Sequence, residues 1–264
     1  MKPRSIAGRI ARTFITIGLV LFTAAHASAQ ELRVMTSGAF SAAFLQLVPE
    51  FERTTHSTVV TITGASMGEG PTTIPGRLDR GEPADVVILA DEALLELVKR
   101  GKVMPNSRVQ LVRSSIGMAV RAGTPKPDIS SIEALKRTLL SAKSIAYSSS
   151  ASGVYLSREL FQRLGIADQI LGKSKEIQAE PVGAVVARGE AEIGFQQISE
   201  LLPVSGIEYI GPLPPGAQRV TVFSAGIVVG AKRPETAKDL IDFFASSASA
   251  SIIRKTGLEP LTAR

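Results

Sequence analysis

The chain has 264 residues, 44% of them hydrophobic and 20% charged, with two histidines and no cysteine. That size and apolar content suffice for one or two packed domains, and the lack of cysteine excludes disulfides, thiolate catalysis and Cys-ligated metal. The formal charge of +6 comes without a basic run of five or more, so the composition does not point to nucleic acid.

Residues 1–29 read as a leader. "MKPRSIAGRIAR" is basic without an acid, "TFITIGLVLFTAA" is an apolar run of thirteen, and Ala27-Ser28-Ala29 is an A-x-A cleavage site. This three-part order is that of a secretory signal peptide, and the run is too short for a membrane span. The bland alternative is an N-terminal anchor; a lipid anchor is excluded because no Cys follows the run. The mature chain would begin at Gln30, and four of the +6 charges would leave with the leader, which brings it near +2. No later apolar run is long enough to span a bilayer, so no membrane insertion is expected after cleavage.

Strands and helices then alternate. "ELRVMTS" is a short apolar strand, and "AFSAAFLQLVPEFERTT" has helical apolar spacing at Phe40, Phe44, Leu47, Val48 and Phe51. "STVVTITGAS" is β-branched and strand-like, "TIPGRLDRGE" a short helix ended by Gly81, and "ADVVILA" a buried strand. "DEALLELVKRG" is a helix with acids in its first turn and Lys99, Arg100 and Gly101 at its end, the order the helix dipole favours. "SSIGMAVRA" is a strand; "ISSIEALKRTLLSA" is a helix with Ser131 as N-cap. "KSIAYSS" and "GVYLSRELFQRLG" follow as strand and helix. "EIQAE", "VGAVVARGEA", "EIGFQQ", "IEYIGPL" and "VTVFSAGIVVGA" continue the alternation, and "RPETAKDLIDFFASSASASIIRKTG" supplies one or two closing helices.

Such alternation specifies an α/β fold of parallel sheets covered by helices. Ligands in these sheets bind at the carboxyl ends of strands, where loops meet helix N-termini. The loops there read "TSGAFS", "ASMGEG", "SSSASGVY" and "QQIS", rich in small and hydroxyl residues whose backbone N–H groups suit an anion. Each alone is explained by caps and turns; four after successive strands argue for a site.

The segments "VMTSGAFSAAF", "GEPADVVILAD", "SIAYSSSASGVYLSREL" and "EPVGAVVARGEAEIGF" resemble the periplasmic molybdate-binding proteins, the anion receptors of ABC importers, over nearly the whole mature chain. The resemblance implies a two-lobed type II periplasmic binding protein fold, each lobe a mainly parallel sheet flanked by helices, with a hinged cleft. It implies lobe one at 30–113 plus 226–264 and lobe two at 114–225, with crossings in "RSSIGMAV" and "VFSAGIVV". It further implies a periplasmic location, a small anionic ligand held by backbone N–H and hydroxyl donors, and an ABC importer permease as the partner of a receptor.

Carried over residue by residue, the family's first hydroxyl falls on Ala39, with Ser37, Gly38 and Ser41 beside it. The second falls on Ser66, next to Met67. Backbone donors fall on Ser152, flanked by Ser150 and Gly153, and on Val182. The last ligand, a tyrosine hydroxyl in the family, falls on Gln197, beside a second amide, Gln196. The loop "ASMGEGPTTIPGR" is longer than the family pattern and brings Glu69, Arg77 and Arg80 near the cleft.

These departures argue for a ligand larger than molybdate. An amide pair donates to a carboxylate and accepts from a hydroxyl or protonated acid, and an inward-facing Arg pairs a carboxylate in bidentate fashion. The chain is also similar to the aconitate isomerases, periplasmic enzymes of this fold. That similarity implies a cofactor-independent allylic proton shift on a tricarboxylate, which needs a general base and its conjugate acid. Glu69 and Tyr155 are the candidates, against readings as a solvated loop acid and a packed aromatic. The runner-up function is that of the importer's receptor for molybdate or another oxyanion.

Metal is not expected. His26 would leave with the leader, His56 reads as a turn residue, and no acid cluster has ligand spacing. Asp85 and Asp91 read as turn caps around a buried strand. No G-x-S-x-G accompanies a His, so a serine nucleophile is not supported.

Overall fold

The computed structural model describes residues 30–68, 70–178 and 180–261; the expected leader and Glu69 lie outside them. The chain opens with β1 (Gln30–Thr36), α1 (Gly38–Thr55), β2 (Ser57–Thr63), α2 (Ile74–Asp79), β3 (Val86–Ala90), α3 (Asp91–Lys99) and β4 (Val109–Ser114). It then runs through β5 (Ile116–Arg121), α4 (Ile132–Ser141), β6 (Ile145–Ser148), α5 (Ala151–Tyr155), a π turn at Leu156–Leu160, α6 (Phe161–Arg163), α7 (Ala167–Ile170), β7 (Ser174–Ile177), α8 (Val182–Ala187), β8 (Ile193–Gln197), α9 (Ile198–Leu201) and β9 (Ile207–Pro212). β10 (Thr221–Ile227), α10 (Pro234–Ala245), α11 (Ser247–Lys255) and β11 (Glu259–Pro260) close it.

Two sheets result, one in each lobe. The first has the order β11-β4-β10-β3-β1-β2 and the second β7-β6-β8-β5-β9. Each is parallel through three strands, β2-β1-β3 in one and β7-β6-β8 in the other. The strands next to the crossings, β4, β5, β9 and β10, pair antiparallel. The chain passes outward at Ser115, between β4 and β5, within the expected segment. It returns through 213–220, ahead of "VFSAGIVV", because β10 pairs with β3 and β4 in the first sheet. Gln218 clamps the two crossings together: its Oε1 accepts from the Ile116 N–H at 2.9 Å and its Nε2 donates to the Ile116 carbonyl at 2.9 Å.

Local sequence accounts for most of this. The apolar stripe Phe40, Phe44, Leu47, Val48 and Phe51 is the buried face of α1, with each fully buried side chain contributing roughly 1.5–3 kcal/mol. Phe244 of α10 packs its ring 5.4 Å from Phe40 and 5.5 Å from Phe44, which returns the C-terminal helices to the first sheet. Ser131 caps α4 by accepting from the Ala134 N–H at 3.1 Å. Gly101, with φ at 67°, lets the chain leave α3 in the left-handed region. Asp85 and Asp91 do serve the fold. Asp85 accepts the Arg33 and Lys232 N–H groups, both at 2.8 Å, and Asp91 holds Arg108 through two 2.7 Å bonds. Four elements have no counterpart among the segments read from the sequence: β4, which joins the first sheet, the four-residue helices α7 and α9, and the two-residue strand β11.

Candidate active site in the cleft

The parallel strands of both sheets point their carboxyl ends at one cavity of about 560 Å³. From the first lobe it is lined by the start of α1, by Thr63 to Ala65 after β2, and by Arg77 of α2. From the second lobe come Ser148 to Ser150 after β6, Pro181 before α8, Gln196 of β8, and Glu200 of α9. Strand ends meeting helix starts give such a site many backbone dipoles of one sense. The lobes touch across it. The Ser66 N–H donates to Ser150 Oγ at 3.1 Å, and Ser199 Oγ donates to the Ala39 carbonyl at 2.7 Å.

Glu200 is the titratable group of interest. Its carboxyl reaches the first residue of α1 so closely that a Cβ on Gly38 would overlap Glu200 Oε1. Burial pushes its pKa from the usual carboxylate range up to about 7, opposed by a hydrogen bond from Gln196. That bond runs from Gln196 Nε2 to Glu200 Oε1 at 2.8 Å, while Gln196 Oε1 accepts the Val182 N–H at 2.9 Å. A carboxyl that titrates near neutrality inside a cavity is equipped to take and return a proton. The other charged lining groups are engaged. Arg77 pairs with Glu82 at 2.7 Å, and Glu180 pairs with Arg188 at 2.8 Å.

Of the sequence-derived candidates, Gly38, Ser150 and Gln196 line the cavity together. Ser66 is buried beside it, with Oγ accepting from the Ala90 N–H at 3.0 Å; Met67 packs into the first core. The Val182 N–H, expected as a ligand donor, is taken by Gln196. Ser152 is buried with its Oγ 3.0 Å from Ser148 Oγ. Gly153 is required for packing, since a Cβ there would overlap the Ser148 carbonyl. Arg80 turns away to Glu82 at 2.6 Å.

Tyr155 and Gln197 also depart from expectation. Tyr155 is not brought to the cavity. It is 3% exposed in the core of the second lobe, and its hydroxyl donates to the Ala217 carbonyl at 2.8 Å. Gln197 follows Gln196 in an extended strand, so its side chain takes the opposite face of β8, and it is not among the lining residues. Its two polar atoms, and Ser37 Oγ, are buried without a partner among the described residues. Sequence reasoning misses Glu200: Gln196 ends strand β8 and Glu200 sits in the four-residue helix α9, so no single period links the two.

Residues 32–259 match the family model of the bacterial extracellular solute-binding proteins. A Pseudomonas aconitate isomerase is 47% identical over 233 residues, covering 88% of this chain and 89% of that protein. The structure of the Azotobacter vinelandii periplasmic molybdate-binding protein superposes with a TM-score of 0.69 at 22% identity, over 88% of this chain and all of that one. A sulfate-binding protein from Mycobacterium tuberculosis also gives 0.69, at 15% identity over 88% of this chain and 87% of that one. Among the described residues no helix is long and apolar enough to cross a membrane.

Proposed function

The chain belongs to the bacterial extracellular solute-binding protein family, and we propose that it has turned that family's cleft to catalysis as an aconitate isomerase. The observation that carries this reading is Glu200, a carboxyl with a pKa of about 7 on the wall of the shared cavity. The 47% identity to an aconitate isomerase supports the same conclusion from the side of the sequence.

In the proposed reaction Glu200, ionised, takes a proton from the methylene carbon of trans-aconitate. The electron pair of that C–H bond forms the new C=C bond, while the old C=C pair moves to the far carbon of the allylic unit. Glu200 returns the proton there, which gives cis-aconitate. Atoms and electrons balance within the substrate and one carboxyl group. In the intermediate the charge spreads into the substrate carboxylates, and the start of α1, Arg77 and the Ser148 to Ser150 turn face it. The sheets act as two lobes that close on the ligand. The leader at 1–29 would carry the protein to the periplasm.

A receptor that hands an anion to an ABC importer is the second reading, favoured by the serine and threonine hydroxyls of the lining, such as Ser41, Thr63 and Ser148 to Ser150, with Arg77 as its one cation among the described residues. One experiment separates the two. The purified mature chain is mixed with trans-aconitate and followed by chromatography for cis-aconitate, with a molybdate titration alongside. Turnover that falls by about 10²–10⁴ in Glu200→Gln, the usual range for losing an acid–base group, establishes the enzyme. Tight molybdate binding without turnover establishes the receptor.

A further inference from the structure

We propose that Gln196 is a positioning residue that fixes which oxygen of Glu200 exchanges the proton. The proposal rests on Glu200 being the acid–base group and adds what governs it.

The Val182 N–H can only donate, so the amide oxygen of Gln196 must face it, as it does at 2.9 Å. The amide nitrogen then faces Glu200 Oε1 at 2.8 Å. Gln196 is 4% exposed, and turning its amide over would set the NH2 group against the Val182 N–H, two donors face to face. An amide N–H needs a lone pair opposite it, so Oε1 is kept as an acceptor in both charge states of Glu200. The proton therefore resides on Oε2, which accepts no hydrogen bond from the described residues. Gly38 completes the seat: without a Cβ, the first residue of α1 leaves space for Oε1.

The surroundings of Glu200 make Gln196 the effective lever. α1 contributes Gly38 and Ser41 and no charge. α2 contributes Arg77, held by Glu82. The segment before α8 contributes Glu180, held by Arg188. The turn after β6 contributes serines, and α9 contributes Ser199. Among the described residues, Gln196 alone hydrogen-bonds the Glu200 carboxyl. A donor to a carboxylate favours its ionised form, against the burial that opposes it.

The test reads Glu200 with and without turnover. The Glu200 side-chain carboxyl is followed by carbon NMR against pH in the unliganded mature protein, with Glu200→Gln identifying the resonance. The pH profile of kcat/KM for trans-aconitate is recorded in parallel. Gln196→Met keeps the volume and removes the donor; its Glu200 midpoint is expected to rise by about one pH unit, with the acid limb of the rate profile following. Gln196→Glu still accepts the Val182 N–H but sets a second carboxyl beside the first, so the midpoint should rise further.

An unmoved midpoint in both variants overturns the proposal. So does a wild-type profile in Gln196→Glu, because Gln196 would then only be holding Val182. If the resonance moves but trans-aconitate is not turned over, the isomerase reading fails and the coupling of Gln196 to Glu200 stands. If turnover is present and the resonance does not move, the proposal fails alone.

Discussion

At the strand ends of the first lobe, polar groups mostly maintain the turn itself. The Ser37 N–H donates to the Ile88 carbonyl at 2.8 Å, Ser41 Oγ returns to the Ser37 carbonyl at 3.1 Å, and Ser66 Oγ takes the Ala90 N–H. At the strand ends of the second lobe, an amide is spent on holding an acid in the cavity, through Gln196 and Glu200. One lobe thus supplies a shaped wall of backbone with one cation, and the other supplies the titratable chemistry. Two glycines mark the same division. In the first lobe, a Cβ on Gly38 would strike the end of a side chain, Glu200; in the second, a Cβ on Gly153 would strike backbone, the Ser148 carbonyl.

That contrast is broken hardest by Gly153→Ala. Neither the β6 end nor α5 can yield without moving the turn that lines the cavity, so overpacking at backbone should cost about 3 kcal/mol. Urea unfolding of the mature chain measures it, and a change under about 1 kcal/mol would mean the turn is softer than the geometry implies.

The next effect is in pH. Glu200 has its folded pKa raised above the usual carboxylate value to about 7, so the native state binds the extra proton. Stability is therefore highest below the unfolded pKa and declines as pH rises through the window up to about 7, by at most about 3 kcal/mol. Glu200→Gln should flatten this part of the stability curve. Thermal melts of both proteins between pH 4 and 8 compare them directly, and equal slopes would place the Glu200 pKa in the ordinary carboxylate range.

Most of the fold was legible in the sequence because its signals are local. The alternation of β-branched runs with amphipathic helices, the Ser131 cap and the Gly101 stop each act within a few residues. β4 was not legible: "VQLVRS" sits one residue before β5, and only its pairing with β10 and β11, over a hundred residues away, makes it a strand of the other sheet. The return crossing was misplaced for the same reason. The site was legible in part. Gly38, Ser150 and Gln196 reach the cavity because strand-end loops must converge there. Tyr155 did not, since the helix containing it turns that ring into the core, and no local pattern reports which side of a short helix faces a cleft. Glu200 was hidden by α9, four residues long and too short to give a periodic signal. Its pKa arises from burial against the start of α1, a contact between lobes.

A smaller change sharpens the division between wall and chemistry. Gly38→Ala asks Glu200 to withdraw from the start of α1; a flexible side chain can do so, and stability should change little. The proton-transferring oxygen would shift with it, and about a tenfold loss in kcat/KM is expected, since misplaced acid–base groups lose rate steeply. Steady-state kinetics and a urea curve on the same sample distinguish this from unfolding. A large stability loss with wild-type kcat in the folded fraction would assign Gly38 to packing alone.

Ser66→Ala is the mildest test and addresses the first lobe by itself. The hydroxyl accepts the Ala90 N–H where α3 begins, which is the work of a helix cap done from another loop. Removing it leaves that buried donor unpaired and should destabilise the chain by about 1 kcal/mol. The Ser66 N–H still reaches Ser150 Oγ, so the contact between lobes survives and kcat for aconitate should stay within about twofold, below 0.5 kcal/mol. If kcat instead collapses while the urea midpoint holds, Ser66 contacts the substrate, and the first lobe does more of the chemistry than its hydrogen bonds indicate.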